Sequence, residues 1–150
     1  MHLILWRHAE AADGSPDLTR PLTAKGHKQA EDMARWLKPR LPRNTRILVS
    51  PALRTRETAQ YLSRHFETVA DLAPDASPEA VLATADWPES PGAVLVIGHQ
   101  PTLGEVAALL LAGAPLAWSV RKGGLWWLSH RVRDETAEVV LRAVMNPDLL

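Results

Sequence analysis

The sequence predicts an α/β fold: a three-layer sandwich with a mainly parallel central sheet, an antiparallel edge and helices on both faces. The first indication is that short apolar segments, typical of buried strands, alternate with amphipathic helical segments over most of the chain. The second is that residues 125–144 contain two strand-like segments separated by a polar turn at 131–136. The alternation favours parallel strands, and the late hairpin adds an antiparallel edge to the same sheet.

Length and composition limit the classes of protein that this chain can represent. It has 150 residues, of which 46% are hydrophobic, and this predicts a single domain over residues 1–150. Lys plus Arg and Asp plus Glu both number 17, and this balance argues against binding to nucleic acid or to an anionic membrane surface. The chain has no cysteine and no apolar run long enough for a signal sequence or a membrane span, which favours a cytoplasmic protein.

The first strand is predicted at residues 3–6 and stops abruptly at Arg7 and His8. Four consecutive apolar residues are typical of a strand that is buried on both faces, so the two polar side chains follow it at the edge of the sheet. Open α/β sheets bind their ligands at this edge. Residues 11–21 are polar and rich in turn-forming residues, which predicts a loop after the strand.

The first helix is predicted between Thr23, which suits an N-cap position, and Pro39, which ends the helix. The apolar residues between them have the i, i+3, i+4, i+7 spacing of an amphipathic helix. These residues are Ala30, Met33, Ala34 and Leu37. This face of the helix is expected to pack on the sheet.

The second helix is predicted directly after a short strand at residues 47–49. Ser50 is expected to cap it, Pro51 suits its first position, and its apolar face continues to Phe66. Arg54 then falls in the first turn, again at the carboxyl end of a strand. Backbone N–H groups and the helix dipole favour an anion at such a position.

The middle of the chain carries weaker signals. An edge strand is predicted near Val69, and a short helix is predicted from Pro78 to about Ala85 with Ser77 as its cap. Prolines, serine and glycine then break the chain between residues 88 and 92.

Residues 93–97 form the clearest buried strand in the sequence and lead directly to His99 and a further helix. Thr102 and Glu105 have the spacing of a capping box at the start of that helix. His99 is therefore another polar group at a junction between a strand and a helix.

Four polar residues thus follow predicted buried strands: Arg7, His8, Arg54 and His99. Each alone has an ordinary structural explanation, such as a hydrogen-bonded turn or a solvated helix residue. A parallel sheet, however, brings the carboxyl ends of its strands to one edge, so we expect the four side chains to lie together. Fixed cations around the phosphoryl oxygens, with a neutral imidazole as in-line nucleophile, suit phosphoryl transfer through nitrogen without a metal ion.

Four segments resemble the motifs of the histidine phosphatase superfamily, and within it those of the small SixA-type phosphohistidine phosphatases. They are WRHAE, RPLTAKG, SPALRTRETA and VIGHQP, and they occur in the family's order over residues 3–112. The resemblance implies a fold like that of phosphoglycerate mutase, and it implies a role for each matching residue.

By this resemblance, His8 is the phosphorylated nucleophile. Arg7 and Arg54 would hold the phosphate, and His99 would bind and orient it. Arg20 matches an arginine of a loop that reaches the same anion in SixA-like members.

The sequence also departs from the family pattern. Ala9 stands where the signature has glycine; its methyl group narrows the backbone approach to phosphate, and we expect it to be tolerated. The mutase-like members use a glutamate in the middle of the chain as general acid and carry a long insertion over the pocket. Here that region holds Asp71, Asp75 and Glu79 without a matching motif, and the chain is too short for the insertion.

An uncovered pocket without a firm general acid suits phosphohistidine on a protein, because the P–N bond is labile and imidazole leaves readily. The resemblance therefore implies a metal- and cofactor-independent phosphatase in signal transduction. Its substrate would be a histidine-phosphorylated phosphotransfer or phosphocarrier domain, and its product inorganic phosphate.

Two alternatives stay open at this point. A phosphatase of small phosphomonoesters would need Asp71, Asp75 or Glu79 as a proton donor. A catalytically idle module that binds phosphoproteins is the alternative from another class. In either case the surface that selects the partner is expected in the loops at 13–21 and 70–91.

Four further histidines lie outside these motifs. They are His2, His27, His65 and His130. None has the spacing of a metal site with another histidine or with an acidic residue, so no metal site is predicted.

Overall fold

The computed structural model describes residues 1–150 and contains one sheet of six strands covered by four helices. The strands are β1 (His2–Arg7), β2 (Arg46–Val49), β3 (Glu67–Thr68), β4 (Ala93–Gly98), β5 (Leu125–Arg133) and β6 (Thr136–Met145). The helices are α1 (Ala24–Leu37), α2 (Leu53–Gln60), α3 (Pro78–Thr84) and α4 (Thr102–Ala112). Short 3-10 turns occupy Asp17–Thr19, Ala70–Leu72 and Pro147–Leu149. None of the helices is long and apolar enough to cross a membrane.

The strands are ordered β3-β2-β4-β1-β5-β6 across the sheet. Strands β1 to β4 are parallel, whereas β5 is antiparallel to β1 and β6 is antiparallel to β5. Helices α1 and α2 pack on one face, and α3 and α4 pack on the other. The predicted three-layer α/β sandwich with an antiparallel edge is confirmed.

Strand β1 is fixed by two separate cores. Ile4 and Trp6 pack under α1 and α2, and Leu3 and Leu5 pack against α3 and α4. All four side chains are completely buried. Burial of a large apolar side chain stabilises a fold by about 1.5–3 kcal/mol, so both faces hold β1 in place up to Arg7.

Helix α2 begins later and ends earlier than the sequence predicts. Its N-cap residue is Ala52, so the predictions that Ser50 caps the helix and that Pro51 occupies its first position are wrong. The helix also stops before Phe66. Ser50 is buried; its hydroxyl contacts His99 and accepts the N–H of the N-cap residue Ala52 at 3.3 Å, so it lies before the helix instead of capping it.

The caps predicted for α1 and α3 are present, and the one predicted for α4 is not. Thr23 and Ser77 cap α1 and α3 as predicted, because each side-chain oxygen accepts an N–H of its own helix. The capping box predicted for α4 is absent, and Pro101 occupies the N-cap position. Thr102 instead donates its hydroxyl to the carbonyl of Ala76 at 2.6 Å, which ties α4 to the segment before α3.

The terminal hairpin has longer strands than predicted because its turn is shorter. Only Asp134 and Glu135 separate β5 from β6, with φ values of 50° and 65°. Two-residue turns with positive φ match the twist of a hairpin. The strands therefore continue through most of the predicted turn at 131–136.

Candidate active site

The predicted site residues lie together at the carboxyl ends of the central parallel strands. Arg7 is the last residue of β1 and pairs with the last residue of β4, so His8 and His99 follow on neighbouring strands. Their ring centroids are 5.3 Å apart. Arg54 reaches the same cleft from the first turn of α2, and Arg20 reaches it from the loop after β1. The structure thus brings all five predicted residues to one cleft.

Hydrogen bonding fixes the tautomer of His8. Its Nδ1 lies 2.7 Å from the carbonyl oxygen of Ala9. Because a carbonyl oxygen only accepts, Nδ1 carries the proton and Nε2 keeps its lone pair. Burial, together with repulsion from Arg54 and Arg7, lowers the pKa of His8 to about 4. The imidazole is therefore neutral near pH 7, as a nitrogen nucleophile must be.

The methyl group of Ala9 packs in the protein interior. Ala9 is fully buried in a small apolar cluster with Leu22 and Ala30. Its backbone N–H donates to the hydroxyl of Thr58 in α2 at 3.1 Å. These contacts accommodate the residue that replaces the family glycine, and they hold the backbone that follows His8.

Glu10 holds the loop rather than a catalytic side chain. Its carboxylate accepts the hydroxyl of Thr23 at 2.8 Å, and its backbone N–H donates to Gln29 at 3.0 Å. Helix α1 approaches the backbone of Glu10 so closely that a Cβ atom at Gly26 would clash with the carbonyl oxygen of Glu10. The segment RPLTAKG therefore supports the backbone beside His8.

His99 is held in the opposite tautomer. Its Nδ1 lies 3.3 Å from Nη2 of Arg54, and a guanidinium group only donates, so Nδ1 is the acceptor. Nε2 then carries the proton and donates to the hydroxyl of Ser50 at 2.7 Å. Burial, with repulsion from His8 and Arg54, lowers the pKa of His99 to about 3.

Ser50, for which the sequence predicts a helix cap, contacts the candidate site through His99. It follows β2 directly, and β2 neighbours β4, so Ser50 and His99 both emerge at the same edge of the sheet. Its position at the end of a strand was the available signal. Because serine also suits a helix cap, the same position equally predicts a cap for α2.

Two guanidinium nitrogens in the site are buried without a hydrogen-bond partner: Nε of Arg7 and Nε of Arg54. Arg7 is held through Nη1, which donates to the carbonyl of Val120 at 3.0 Å. Burial and the nearby charge of Arg54 lower the pKa of Arg7. Buried donors are normally paired, so these nitrogens indicate the place of an acceptor such as an oxyanion.

Asp17 joins the two arginines that come from different parts of the chain. Its Oδ2 and its backbone carbonyl accept Nη2 and Nη1 of Arg54 at 3.1 and 2.9 Å. Its Oδ1 accepts Nη1 of Arg20 at 3.0 Å. The hydrogen bond from Arg20, followed by that from Arg54, lowers the pKa of the Asp17 carboxyl. From the sequence alone Asp17 is an ordinary loop residue, because a loop aspartate carries no local pattern.

Of the three candidate acids in the middle of the chain, Asp75 lines the cleft. It sits in the left-handed region, with φ of 69°, in the turn that precedes α3. Asp71 and Glu79 do not line the cleft. The structure therefore leaves one of the three in a position to meet a bound substrate.

Two of the remaining histidines, His2 and His27, make side-chain hydrogen bonds outside the cleft. Nδ1 of His2 accepts the indole N–H of Trp127 at 3.0 Å, and Nδ1 of His27 lies 2.8 Å from the hydroxyl of Tyr61. No group of three or more His, Cys, Asp or Glu side chains in the structure is arranged to hold a metal ion.

Acid should destabilise the protein through His8 and His99. Unfolded histidine titrates near 6.5, whereas the folded pKa values are about 4 and about 3. Between these limits the unfolded chain binds more protons, so the free energy of unfolding falls as the pH decreases below 6.5. At pH 5 the expected loss is on the order of 2 kcal/mol for each imidazole.

Urea unfolding at pH 7 and pH 5 measures this loss. The variant His8→Asn lacks one of the two imidazoles, so its stability should fall less than that of the wild type between the same two pH values. An equal fall in the two proteins would contradict the assignment of a low pKa to His8. Carboxylates that also titrate are common to both proteins and cancel in the comparison.

Comparison with known proteins supports the family that the sequence motifs indicate. The model of the histidine phosphatase superfamily, branch 1, matches residues 3–77. Phosphohistidine phosphatase SixA of Escherichia coli K12 is 33% identical over 122 residues, which cover 75% of this chain and 76% of that protein. An uncharacterised protein of a Picosynechococcus strain is 39% identical over 123 residues, which cover 75% of this chain and 74% of the relative.

Solved structures agree with the sequence comparisons. The structure of the protein histidine phosphatase SixA complexed with tungstate superposes with a TM-score of 0.78 and 28% identity, over 99% of both chains. The four sequence motifs, the fold and the relatives therefore point to one family. The chain belongs to branch 1 of the histidine phosphatase superfamily and is a phosphatase of the SixA type.

Proposed function

We propose that this phosphatase hydrolyses phosphohistidine on a protein through a covalent phosphoryl intermediate on His8. The observation that carries the proposal is a neutral imidazole with a free Nε2 lone pair beside two buried, unpartnered guanidinium nitrogens. Such a site supplies a nucleophile together with fixed donors for the phosphoryl oxygens. The similarity to SixA, named as a phosphohistidine phosphatase, supports the substrate class.

In the first step, Nε2 of His8 attacks the phosphorus atom of the substrate. A bond forms between Nε2 and phosphorus, and the bond from phosphorus to the substrate imidazole breaks with its electron pair on the leaving nitrogen. The leaving imidazole takes a proton from water. The N–H at Nδ1 of His8 donates a hydrogen bond to the carbonyl of Ala9, and this bond stabilises the positive charge that develops on the ring.

In the second step, water attacks the phosphorus atom and the bond to Nε2 breaks, and the proton that this water loses neutralises the hydroxide formed in the first step. Inorganic phosphate leaves, and His8 recovers its lone pair. In both steps Arg7 and Arg54 stabilise the equatorial oxygens through donors that already lie in place. His99 stays neutral, held by its hydrogen bonds with Arg54 and Ser50, and is proposed to bind and orient the phosphate.

Arg20 is proposed as a further phosphate-binding residue at the rim of the cleft. Its Nε donates to the carbonyl of Ala12 at 2.8 Å, and Asp17 accepts one of its terminal nitrogens. The cationic lining supplies the charge that a metal ion would otherwise provide. We therefore propose a metal-independent reaction, and incubation with EDTA should leave the rate unchanged. The partner would be a histidine-phosphorylated protein of the cytoplasm.

The test compares three substrates: a histidine-phosphorylated phosphocarrier protein, an aryl phosphate and a sugar phosphate. Rapid loss of phosphate from the protein, absent in His8→Ala, would support the proposal. Faster turnover of the two small esters would instead favour a phosphomonoesterase. Binding of the phosphoprotein without release of phosphate would favour a module that only binds.

The position of Asp75 keeps the phosphomonoesterase as a second candidate. An alkoxide leaving group needs a proton donor, and Asp75 is the candidate acid that lines the cleft.

Replacement of Asp75 with asparagine separates these two functions. For phosphohistidine hydrolysis we expect a change of less than about twofold, because imidazole leaves without an acid. Any turnover of aryl or sugar phosphate through an acid should fall at least about tenfold. Glu79→Gln, on α3 outside the cleft, is the matched control. A large loss of phosphohistidine hydrolysis in Asp75→Asn would contradict the view that no acid is needed.

A further inference from the structure

A groove with cationic side chains adjoins the catalytic cleft. It is lined by Lys25 at the start of α1, by Arg121 and Lys122 in the segment before β5, and by Arg7. Arg7 and Lys122 also line the cleft, so the groove and the cleft are continuous. A chain whose phosphoryl group occupies the cleft can therefore extend into the groove.

The segment at residues 119–124, which forms one wall of the groove, is fastened to the end of β1. The N–H of Gly123 donates to the carbonyl of His8 at 3.0 Å. The side chain of Arg7 donates to the carbonyl of Val120 at 3.0 Å. These bonds fix the wall of the groove relative to the nucleophile.

The groove has an excess of positive charge although the net charge of the chain is zero. Lys25, Arg121 and Lys122 are exposed, and none of them forms an ion pair in the structure. Two carboxylates, Glu10 and Asp148, also line the groove. Glu10 is already engaged with the loop and α1.

We propose that this groove binds acidic side chains that flank the phosphohistidine of the partner protein. The inference rests on the proposed function and adds the chemistry that selects the partner. An excess of cations at the rim of a site attracts an acidic partner and orients it as it approaches. The groove is built from residues near 25 and 119–124, so it is separate from the loops at 13–21 and 70–91 in which the sequence places the specificity surface.

Two synthetic phosphohistidine peptides test the inference, one with three glutamates beside the phosphohistidine and one with three glutamines. We expect the wild type to give a kcat/KM about tenfold higher for the glutamate peptide at low salt, and this preference should shrink as salt is added. In the double variant Lys25→Glu and Arg121→Glu, the preference should disappear or reverse. Hydrolysis of free phosphohistidine should change by less than twofold.

A matched control carries the same change in charge far from the site. Lys38→Glu with Arg133→Glu alters the end of α1 and the end of β5 that lie opposite the cleft, and it should keep the preference. Equal rates for the two peptides with the wild type would overturn the inference while leaving the proposed function intact. So would an equal loss of the preference in both double variants.

A binding measurement gives a readout that does not depend on turnover. The unphosphorylated glutamate peptide should bind the wild type more tightly than it binds the double variant Lys25→Glu and Arg121→Glu. This result would support the groove even if free phosphohistidine were not hydrolysed, an outcome that would contradict only the proposed function. Equal binding to both proteins would overturn the inference.

Discussion

Replacement of His8 with alanine is expected to reduce phosphohistidine hydrolysis by at least about a thousandfold, the scale seen when a covalent nucleophile is removed. The reason is that Nε2 of His8 is the proposed nucleophile, and no other imidazole in the cleft has a free Nε2 lone pair. His99 cannot replace His8 as nucleophile, since its Nδ1 accepts a hydrogen bond from Arg54 and its Nε2 carries a proton. Release of inorganic phosphate from a phosphocarrier protein measures the effect.

The fold should survive this substitution. The one hydrogen bond of the His8 ring goes to the neighbouring Ala9 and ties no distant elements together. Circular dichroism and thermal unfolding of His8→Ala and His8→Asn are the controls.

In the wild type, rapid quenching should trap an acid-labile phosphoryl group on the peptide that contains His8. Substantial turnover by a folded His8→Ala protein would contradict the covalent mechanism.

The clustering of the candidate site residues was predictable because they lie at the ends of strongly apolar strands. Each of the strands that precede Arg7 and His99 is a continuous buried run, so its end is clear from the sequence. Parallel pairing then brings those ends together, whatever the precise bounds of the helices. This is why the position of Arg54 was predicted although the start of α2 was not.

The supporting contacts were not predictable in the same way. Asp17 bonds Arg54 across 37 positions of the chain, and Ser50 bonds His99 across 49. Such contacts depend on how a loop or a strand end meets another element, and neither leaves a periodic pattern. Serine before proline also resembles a helix start, so local propensity gave the wrong interpretation of Ser50. The cationic wall near Arg121 is likewise formed only when the loop folds onto β1.

Replacement of Arg54 with alanine is expected to lower kcat/KM for phosphohistidine by about a hundredfold to a thousandfold, or about 2.7–4 kcal/mol of transition-state stabilisation. Arg54 is 4% exposed, and its Nε has no partner within the protein. It is therefore a fixed donor whose charge opposes that of the phosphoryl oxygens. Loss of the group also removes the hydrogen bond that Nδ1 of His99 accepts, so the second histidine loses its orientation.

The conservative variant Arg54→Lys distinguishes charge from geometry. A lysine keeps the positive charge but lacks the planar fork that contacts Asp17 and His99 at once, so we expect it to recover only part of the lost rate. Asp17→Asn provides the complementary test, because it weakens the hold on Arg54 without removing the donor and should cost less than Arg54→Ala. If Arg54→Ala matched the wild-type rate, Arg54 would lie outside the catalytic machinery. If Arg54→Lys restored full activity, charge alone would account for its contribution.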